Sequence, residues 1–179
     1  MVQITVFNEK GGVGKTTVAV LLATLLDAEI IDQDDQKTAS RWLARRPEPR
    51  QVSPGRWVID CAPGLSMDSA NAVKDARLIV VPVTVSFPSF DALPQTLRFI
   101  RAHSTAKICF VGVDVDSRTS DLDTLKAALK THGAPLAGVL THRASYRRAG
   151  LTGGLAGDSD VQAATEQKTL IKEIVELLK

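Results

Sequence analysis

The sequence predicts an α/β protein with a doubly wound, mostly parallel sheet and helices on both faces. Three observations carry that prediction. Apolar runs of strand length alternate with segments of helix length along all 179 residues. Some of these runs are continuously apolar, as in Ile79-Val80-Val81, which suits parallel strands covered on both sides. Two runs end in an acidic residue, at Asp32 and Asp60, and open α/β sheets bind their ligands at the carboxyl edge.

The elements follow in order. Val2 to Phe7 is the first strand, and a glycine-rich turn leads from it into a helix from Lys15 to Leu26. Glu29 to Ile31 is a second strand that delivers Asp32, followed by a helix over Thr38 to Arg45. The Pro/Arg-rich stretch from Arg45 to Arg56 is a surface connection, too short for a domain linker. Trp57 to Ile59 delivers Asp60 and precedes a helix over Ser69 to Asp75. The remaining strands are Leu78 to Val83, Lys107 to Val113 and Leu136 to Leu140; the remaining helices are Phe90 to Ala102, Asp121 to His132 and Val161 to Leu178. No repeat or low-complexity tract interrupts them.

Composition narrows the class. A chain of this length fits one domain over residues 1–179 and can bury well over half of its unfolded surface. With 44% hydrophobic and 23% charged residues it has the profile of a soluble globular protein, and with 4% aromatics its core must be aliphatic. Cys61 and Cys109 sit inside apolar runs, with no second Cys or His at metal spacing, so both are expected as buried free thiols in a reducing cytoplasm. No run approaches the ~20 apolar residues of a membrane span, and the N-terminus enters a strand at once instead of showing a signal peptide. A cytoplasmic protein is expected. A net charge of +2 is too small to argue for nucleic acid, so any basic patch must be local.

The strongest signal is Lys10-Gly11-Gly12-Val13-Gly14-Lys15-Thr16-Thr17, directly after the first strand and at the start of a helix. Strand, glycine-rich turn and helix start together place backbone N–H groups around an anion, and the helix dipole adds to the attraction. The general phosphate-loop pattern is G-x-x-x-x-G-K-[ST]; here Glu9 takes the place of the first glycine, and Lys10 is an added lysine. This string resembles the deviant Walker A motif of the ParA/MinD family of ATPases. The resemblance implies that ATP and Mg²⁺ are the ligands, cradled by Gly11, Gly12, Val13, Gly14, Lys15, Thr16 and Thr17. It implies further that Lys15 holds the β- and γ-phosphates, that Thr16 ligates the metal, and that Lys10 reaches the ATP of a partner in a homodimer.

The metal needs acids at strand ends. Asp60, followed by Cys61-Ala62-Pro63-Gly64, is expected in a Walker B role, holding the metal shell through water, with the turn after it resembling switch II. Asp32 and Asp34 resemble switch I, which implies that Asp32 belongs to the outer shell of the metal and that Asp34 orients the attacking water. Asp35 stands where the family usually has proline, and is a candidate N-cap for the following helix. No other nucleophile-base pair is evident: His103, His132 and His142 lie at element ends, so slow hydrolysis is expected.

The family pattern covers nearly the whole chain and is most similar to the small ParF-like partition proteins. It implies an ATP-gated switch that binds nucleoid DNA without sequence preference and is stimulated by a ParB-like or other adaptor on the cargo. The local candidate for DNA contact is Arg143, Arg147 and Arg148, with a solvated helix face as the alternative; Arg98, Arg101 and Lys107 extend it if they share its face. The base-contacting residues stay open, since Asp114 lies where relatives often have Asn or Thr. The cargo also stays open between DNA and a protein organelle. A MinD-like membrane role would use the amphipathic C-terminal helix, but its mixed-charge polar face lacks aromatic anchors, and docking on its own sheet is expected instead. An iron-sulfur function on the same fold would need paired cysteines, which Cys61 and Cys109 do not supply.

Overall fold

The computed structural model describes residues 1–179. Six strands form one all-parallel sheet: β1 (Val2–Val6), β2 (Glu29–Asp32), β3 (Arg56–Asp60), β4 (Leu78–Val83), β5 (Lys107–Val115) and β6 (Leu136–Thr141). Their order across the sheet is β2-β3-β1-β4-β5-β6, with every neighbouring pair parallel. The order reverses direction beside β1, which makes the carboxyl end of β1 the topological switch point where ligands bind in such sheets. Seven helices cover the sheet: α1 (Lys15–Leu25), α2 (Thr38–Leu43), α3 (Met67–Lys74), α4 (Phe87–His103), α5 (Asp121–Leu129), α6 (Ala144–Thr152) and α7 (Val161–Leu178).

Successive side chains of β4 divide the core in two. Leu78 and Val80 pack with α1 and α7, through residues such as Val18, Leu22, Leu170 and Ile174. Ile79, Val81 and Val83 pack with α3, α4 and α5, through Val73, Leu93, Leu97 and Leu125. Every residue of β4 is buried, and this explains its unbroken apolar run. The edge strand β2 alternates instead, with Ile31 43% exposed. A third, smaller cluster joins Val20, Ala39, Trp42, Ala149 and Leu155, seating α2 against α6.

Helix boundaries differ from the sequence expectation in ways that have local causes. Helix α3 starts at Met67, because the Ser66 hydroxyl caps it by accepting from the Ser69 amide at 3.1 Å. Helix α4 starts at Phe87, although Phe87 is 81% exposed and contributes nothing to the apolar periodicity. Helix α6 was not expected as an element: of its nine residues only Ala149 is buried, so it carries almost no periodic signal. The C-terminal helix docks as expected, with Leu170 and Ile174 fully buried against the sheet. No helix is long and apolar enough to cross a membrane.

Candidate functional site

The glycine-rich segment is tied down at its start by one side chain. Asn8, fully buried, donates from Nδ2 to the Pro82 carbonyl at 2.9 Å, while its Oδ1 accepts from the Lys10 amide at 2.9 Å and from the Thr96 hydroxyl at 3.2 Å. The loop is thereby fixed to β4 and α4 together. Gly14 forms the N-cap of α1 at φ 88°, and a Cβ there would meet Val113 Cγ1 at 2.6 Å, so both backbone conformation and space require glycine. No side chain caps α1, which leaves the first-turn N–H groups free for an anion. The loop borders a cleft of about 280 Å³ whose lining includes Gly11, Gly12, Lys15, Thr16, Asp34 and Pro63.

The two lysines have opposite environments. Lys15 is 7% exposed and donates from Nζ to the Lys10 carbonyl at 2.9 Å. Burial pulls its pKa down, and the facing Asp60 opposes that fall. The Lys10 side chain is exposed and pairs with nothing in its own chain. One ammonium is built into the cleft; the other is free to leave it.

The acids meet at the sheet edge. Asp32 pairs in register with Asp60 across β2 and β3, and Asp60 pairs with Val6 at the end of β1. Asp60 is 1% exposed and neither carboxylate oxygen has a hydrogen-bond partner. Burial pushes its pKa up to about 7; the neighbouring Thr16 hydroxyl and Lys15 act against the rise, and Asp32 and Asp34 add to it. Thr16 is thus close enough to act on Asp60 electrostatically without completing a well-formed hydrogen bond. Asp32 Oδ1 accepts from the Asp34 amide at 3.2 Å and Oδ2 from the Ser40 amide at 2.9 Å, so this acid orders the turn and holds the start of α2. Asp35 does not cap α2: it is exposed, and Lys37, in the left-handed region at φ 48°, takes the N-cap position. Asp34 Oδ1 accepts from the Gln36 amide at 2.9 Å. The Gly64 amide donates to the Glu9 carbonyl at 2.8 Å, which ties the Ala62-Pro63-Gly64 turn to the loop.

A buried carboxylate with two orphaned oxygens, beside a hydroxyl, fits a hard divalent cation, which Asp60 and Thr16 would hold. No group of three or more His, Cys, Asp or Glu side chains forms a cage on its own.

A second cavity, of about 250 Å³, continues from the cleft and shares Gly12, Gly14 and Thr17 with it; its far wall holds Val113, Asp114, Thr141, Tyr146 and Arg147. Behind that wall Glu166 of α7 accepts from the Thr141 hydroxyl at 2.6 Å, the Tyr146 hydroxyl at 2.9 Å and Arg143 Nε at 3.3 Å. Burial, then Glu166, holds the Tyr146 phenol far above its ordinary range, so it stays a donor. Phosphate cleft and adjoining cavity together have the form of a nucleotide site.

The three arginines of the expected DNA patch part company. Arg143 is held by Glu166 at 3.3 Å and Asp160 at 3.7 Å; Arg147 and Arg148 are both exposed, and Arg147 also lines the second cavity. Arg101 and Lys107 do not extend the patch, because they bond the His132 and Leu177 carbonyls, and α4 lies on the opposite face of the sheet from α6. Asn8, Thr96 and Glu166 were not singled out by sequence reasoning. Asn8 had a signal, as the first polar residue after a buried strand; Glu166 had none, being 25 residues from Thr141 on a mixed-charge helix. Cys61 and Cys109 are buried free thiols, 1% and 0% exposed, and burial pushes both up to about 12.

The family model described as the CobQ/CobB/MinD/ParA nucleotide binding domain matches residues 4–156. The chain belongs to this family. No curated protein sequence matches it. Among solved structures, McdA of Cyanothece in complex with ATP superposes at a TM-score of 0.84 with 15% identity, over 98% of this chain and 96% of McdA. A Borrelia burgdorferi protein assigned to plasmid partition, bound to AMPPNP, gives 0.83 with 18% identity over 98% of each chain. MinD of Pyrococcus horikoshii with Mg-ADP gives 0.77 with 17% identity, over 98% of this chain and 96% of MinD. At these identities the likeness speaks for the shared fold. A ParA/MinD-type nucleotide-binding domain places its phosphate loop at the end of β1, where the cleft of this chain lies.

Proposed function

We propose that this ParA/MinD-type chain is a slow Mg²⁺-dependent ATPase that dimerises around ATP and, as a dimer, holds non-specific DNA in order to position a plasmid, chromosome or other cargo. The observation that carries the reading is the contrast between Lys15, buried in the cleft, and Lys10, which extends from the same loop with no partner. A second phosphate-seeking charge that its own chain does not use is what a nucleotide-gated dimer requires.

Each residue then has a task. The loop amides and Lys15 hold the β- and γ-phosphates. Thr16 and Asp60 hold the cation directly and through water, and Asp32 keeps the switch turn in place from the outer shell. Mg²⁺ bound there would neutralise charge on the phosphates. Asp34, with Oδ2 outside the Gln36 bond, orients the attacking water. Lys10 of each subunit neutralises the nucleotide of the other. Positioning and charge neutralisation suffice for a slow timer, and an adaptor of ParB-like kind, bound to the cargo, would stimulate it.

For DNA, the candidate is Arg148, joined by Arg41 of α2 and by Arg45 just beyond the end of that helix. Trp42 of α2 closes on Gly150 of α6 and donates from Nε1 to the Gly154 carbonyl at 3.0 Å, so the two helices present one surface. None of these three arginines is paired with a carboxylate. Arg143 supports this surface through its ion pairs, and Arg147 belongs with the nucleotide. A membrane-bound role is disfavoured because α7 spends its apolar face on the sheet. The protein would act in the cytoplasm at the nucleoid. Dimerisation and DNA binding measured in ATP, ADP and ATP with chelator test the reading: dimers and DNA binding in ATP with Mg²⁺ alone support it, and equal binding in all three overturns it.

A further inference from the structure

The amino edge of the sheet, opposite the phosphate cleft, carries a cavity of its own, of about 250 Å³. Ile4 of β1 and Ala28 before β2, each 2% exposed, form its buried part. Leu26 and Trp57, with Val175 and Leu178 of α7, complete an apolar lining. Val175 is 40% exposed, so it stands where the cavity opens to solvent. Strand β1 runs from this cavity to the glycine-rich loop, which sets the two sites at opposite ends of five residues, or roughly 16 Å. An apolar concavity of this kind is a ligand site in form, and the nucleotide does not reach it.

Its charge has one sign. Arg56 and Lys179 are part of the lining, and no acid is. Helices α1 and α7 both end at this edge, and their last carbonyls would make the rim negative. Basic side chains take those carbonyls up. Arg50 bonds the Ala23 and Ala28 carbonyls at 2.7 and 3.0 Å, Arg56 the Leu26 carbonyl at 3.2 Å, Arg77 the Leu178 carbonyl at 2.7 Å and Lys107 the Leu177 carbonyl at 2.8 Å. None of these four has a carboxylate partner, while Lys179 already holds Glu176 at 2.6 Å. Arg56 spends only Nη1, so Nε and Nη2 are left as an open fork, which matches a carboxylate in two parallel bonds. Trp57 gives its indole N–H to Glu29 at 3.1 Å and brings the cavity an apolar ring alone.

We propose that this cavity binds a small anionic amphiphile, a short-chain fatty carboxylate whose hydrocarbon lies against Ile4, Ala28 and Trp57 and whose head sits on the Arg56 fork. The volume is below the roughly 300–1,000 Å³ of drug-sized sites, which favours a short chain over a full lipid tail. Removal of the hydrocarbon from water drives binding, and the arginine selects the head. A neutral alcohol leaves the fork without a charged partner, and a cationic head is repelled by Arg56 and Lys179 together.

Titration calorimetry of the full chain with octanoate below its micelle concentration, with octanol, and with phosphatidylglycerol vesicles tests the site. Octanoate should bind one per chain and at least about tenfold tighter than octanol, the scale of one hydrogen-bonded charge. Arg56→Gln should remove that preference and leave octanol within a few-fold of wild type. Val175→Phe, which adds bulk at the opening, should weaken octanoate at least about tenfold. Both positions are exposed, so both variants should fold, and thermal melts check this. The comparison of octanoate with octanol needs no variant at all. No binding of octanoate, equal binding of octanol, or wild-type affinity in both variants overturns the site. Binding to the vesicles with none of free octanoate also overturns it, since the edge then recognises a membrane surface and holds no single amphiphile.

Discussion

Asp32 and Asp60 stand opposite each other in register at the ends of two parallel strands, yet one is fully engaged with backbone amides and the other has no partner at all. The difference separates an acid that orders the turn after β2 from an acid whose two oxygens are left open. Without cation, a buried unpartnered carboxylate destabilises the fold. Asp60→Asn should therefore raise the stability of the nucleotide-free protein by about 1–3 kcal/mol while abolishing Mg²⁺-dependent ATP binding. Thermal melts with and without Mg-ATP check both halves. A destabilised apo variant would mean that the native carboxylate has a partner after all.

Lys10 and Lys15 should fail differently. Lys15→Ala removes a buried cation and its bond to the loop carbonyl, so ATP binding itself should drop at least about 100-fold, or roughly 2.7 kcal/mol. Lys10→Ala should leave ATP affinity of the monomer within a few-fold of wild type and eliminate the ATP-dependent dimer. Sedimentation velocity in ATP is the measurement, and dimers of Lys10→Ala would remove this lysine from the interface.

Asp34→Ala should keep ATP binding and the dimer but lower the turnover rate by about 10²–10⁴-fold, the usual scale for loss of a group that manages the attacking water. Single-turnover hydrolysis compared with dimer yield isolates the effect. Turnover at the wild-type rate would reassign the role of Asp34 to ordering of the switch turn.

Combined replacement of Arg41, Arg45 and Arg148 by Ala should weaken DNA binding in ATP and flatten its salt dependence, by about 0.9 in log–log slope for each DNA phosphate that is no longer neutralised. The nucleotide affinity should stay unchanged. Arg147→Ala should do the reverse, weakening ATP binding in the absence of DNA. An identical salt slope in the triple variant would place the DNA surface elsewhere on the molecule.

Leu170→Ala tests the docking of α7. Leu170 is fully buried, and its Cβ lies 3.0 Å from where a side chain on Gly138 would begin, so truncation should cost about 2–5 kcal/mol. Denaturant titration reads it directly. A loss below about 1 kcal/mol, under the usual range for a buried leucine, would indicate that the helix leaves the sheet easily, and would revive a role for its apolar face outside the fold.

The sheet, the glycine-rich loop and the two strand-end acids were legible in the sequence because each has a local signature. A strand buried on both faces must be continuously apolar, as β4 is; a loop that wraps phosphate must contain glycines near a lysine; an acid that closes an apolar run must arrive at the carboxyl edge of the sheet. Helix α6 was not legible, since a helix that buries only Ala149 leaves no periodic trace. The roles of the three clustered arginines were not legible either, because adjacency along the chain does not say which carboxylates from α7 and its cap will come to meet them. Only the folded arrangement gives Arg143 to Glu166, places Arg147 at the second cavity, seats α2 against α6 through Trp42, and sets Asp114 on a bulge. Sequence by itself determined the elements whose chemistry resides in a few consecutive residues. Tertiary structure decided everything that depends on which distant groups share a small volume, because charge pairing and desolvation act across space and leave no periodic mark along the chain.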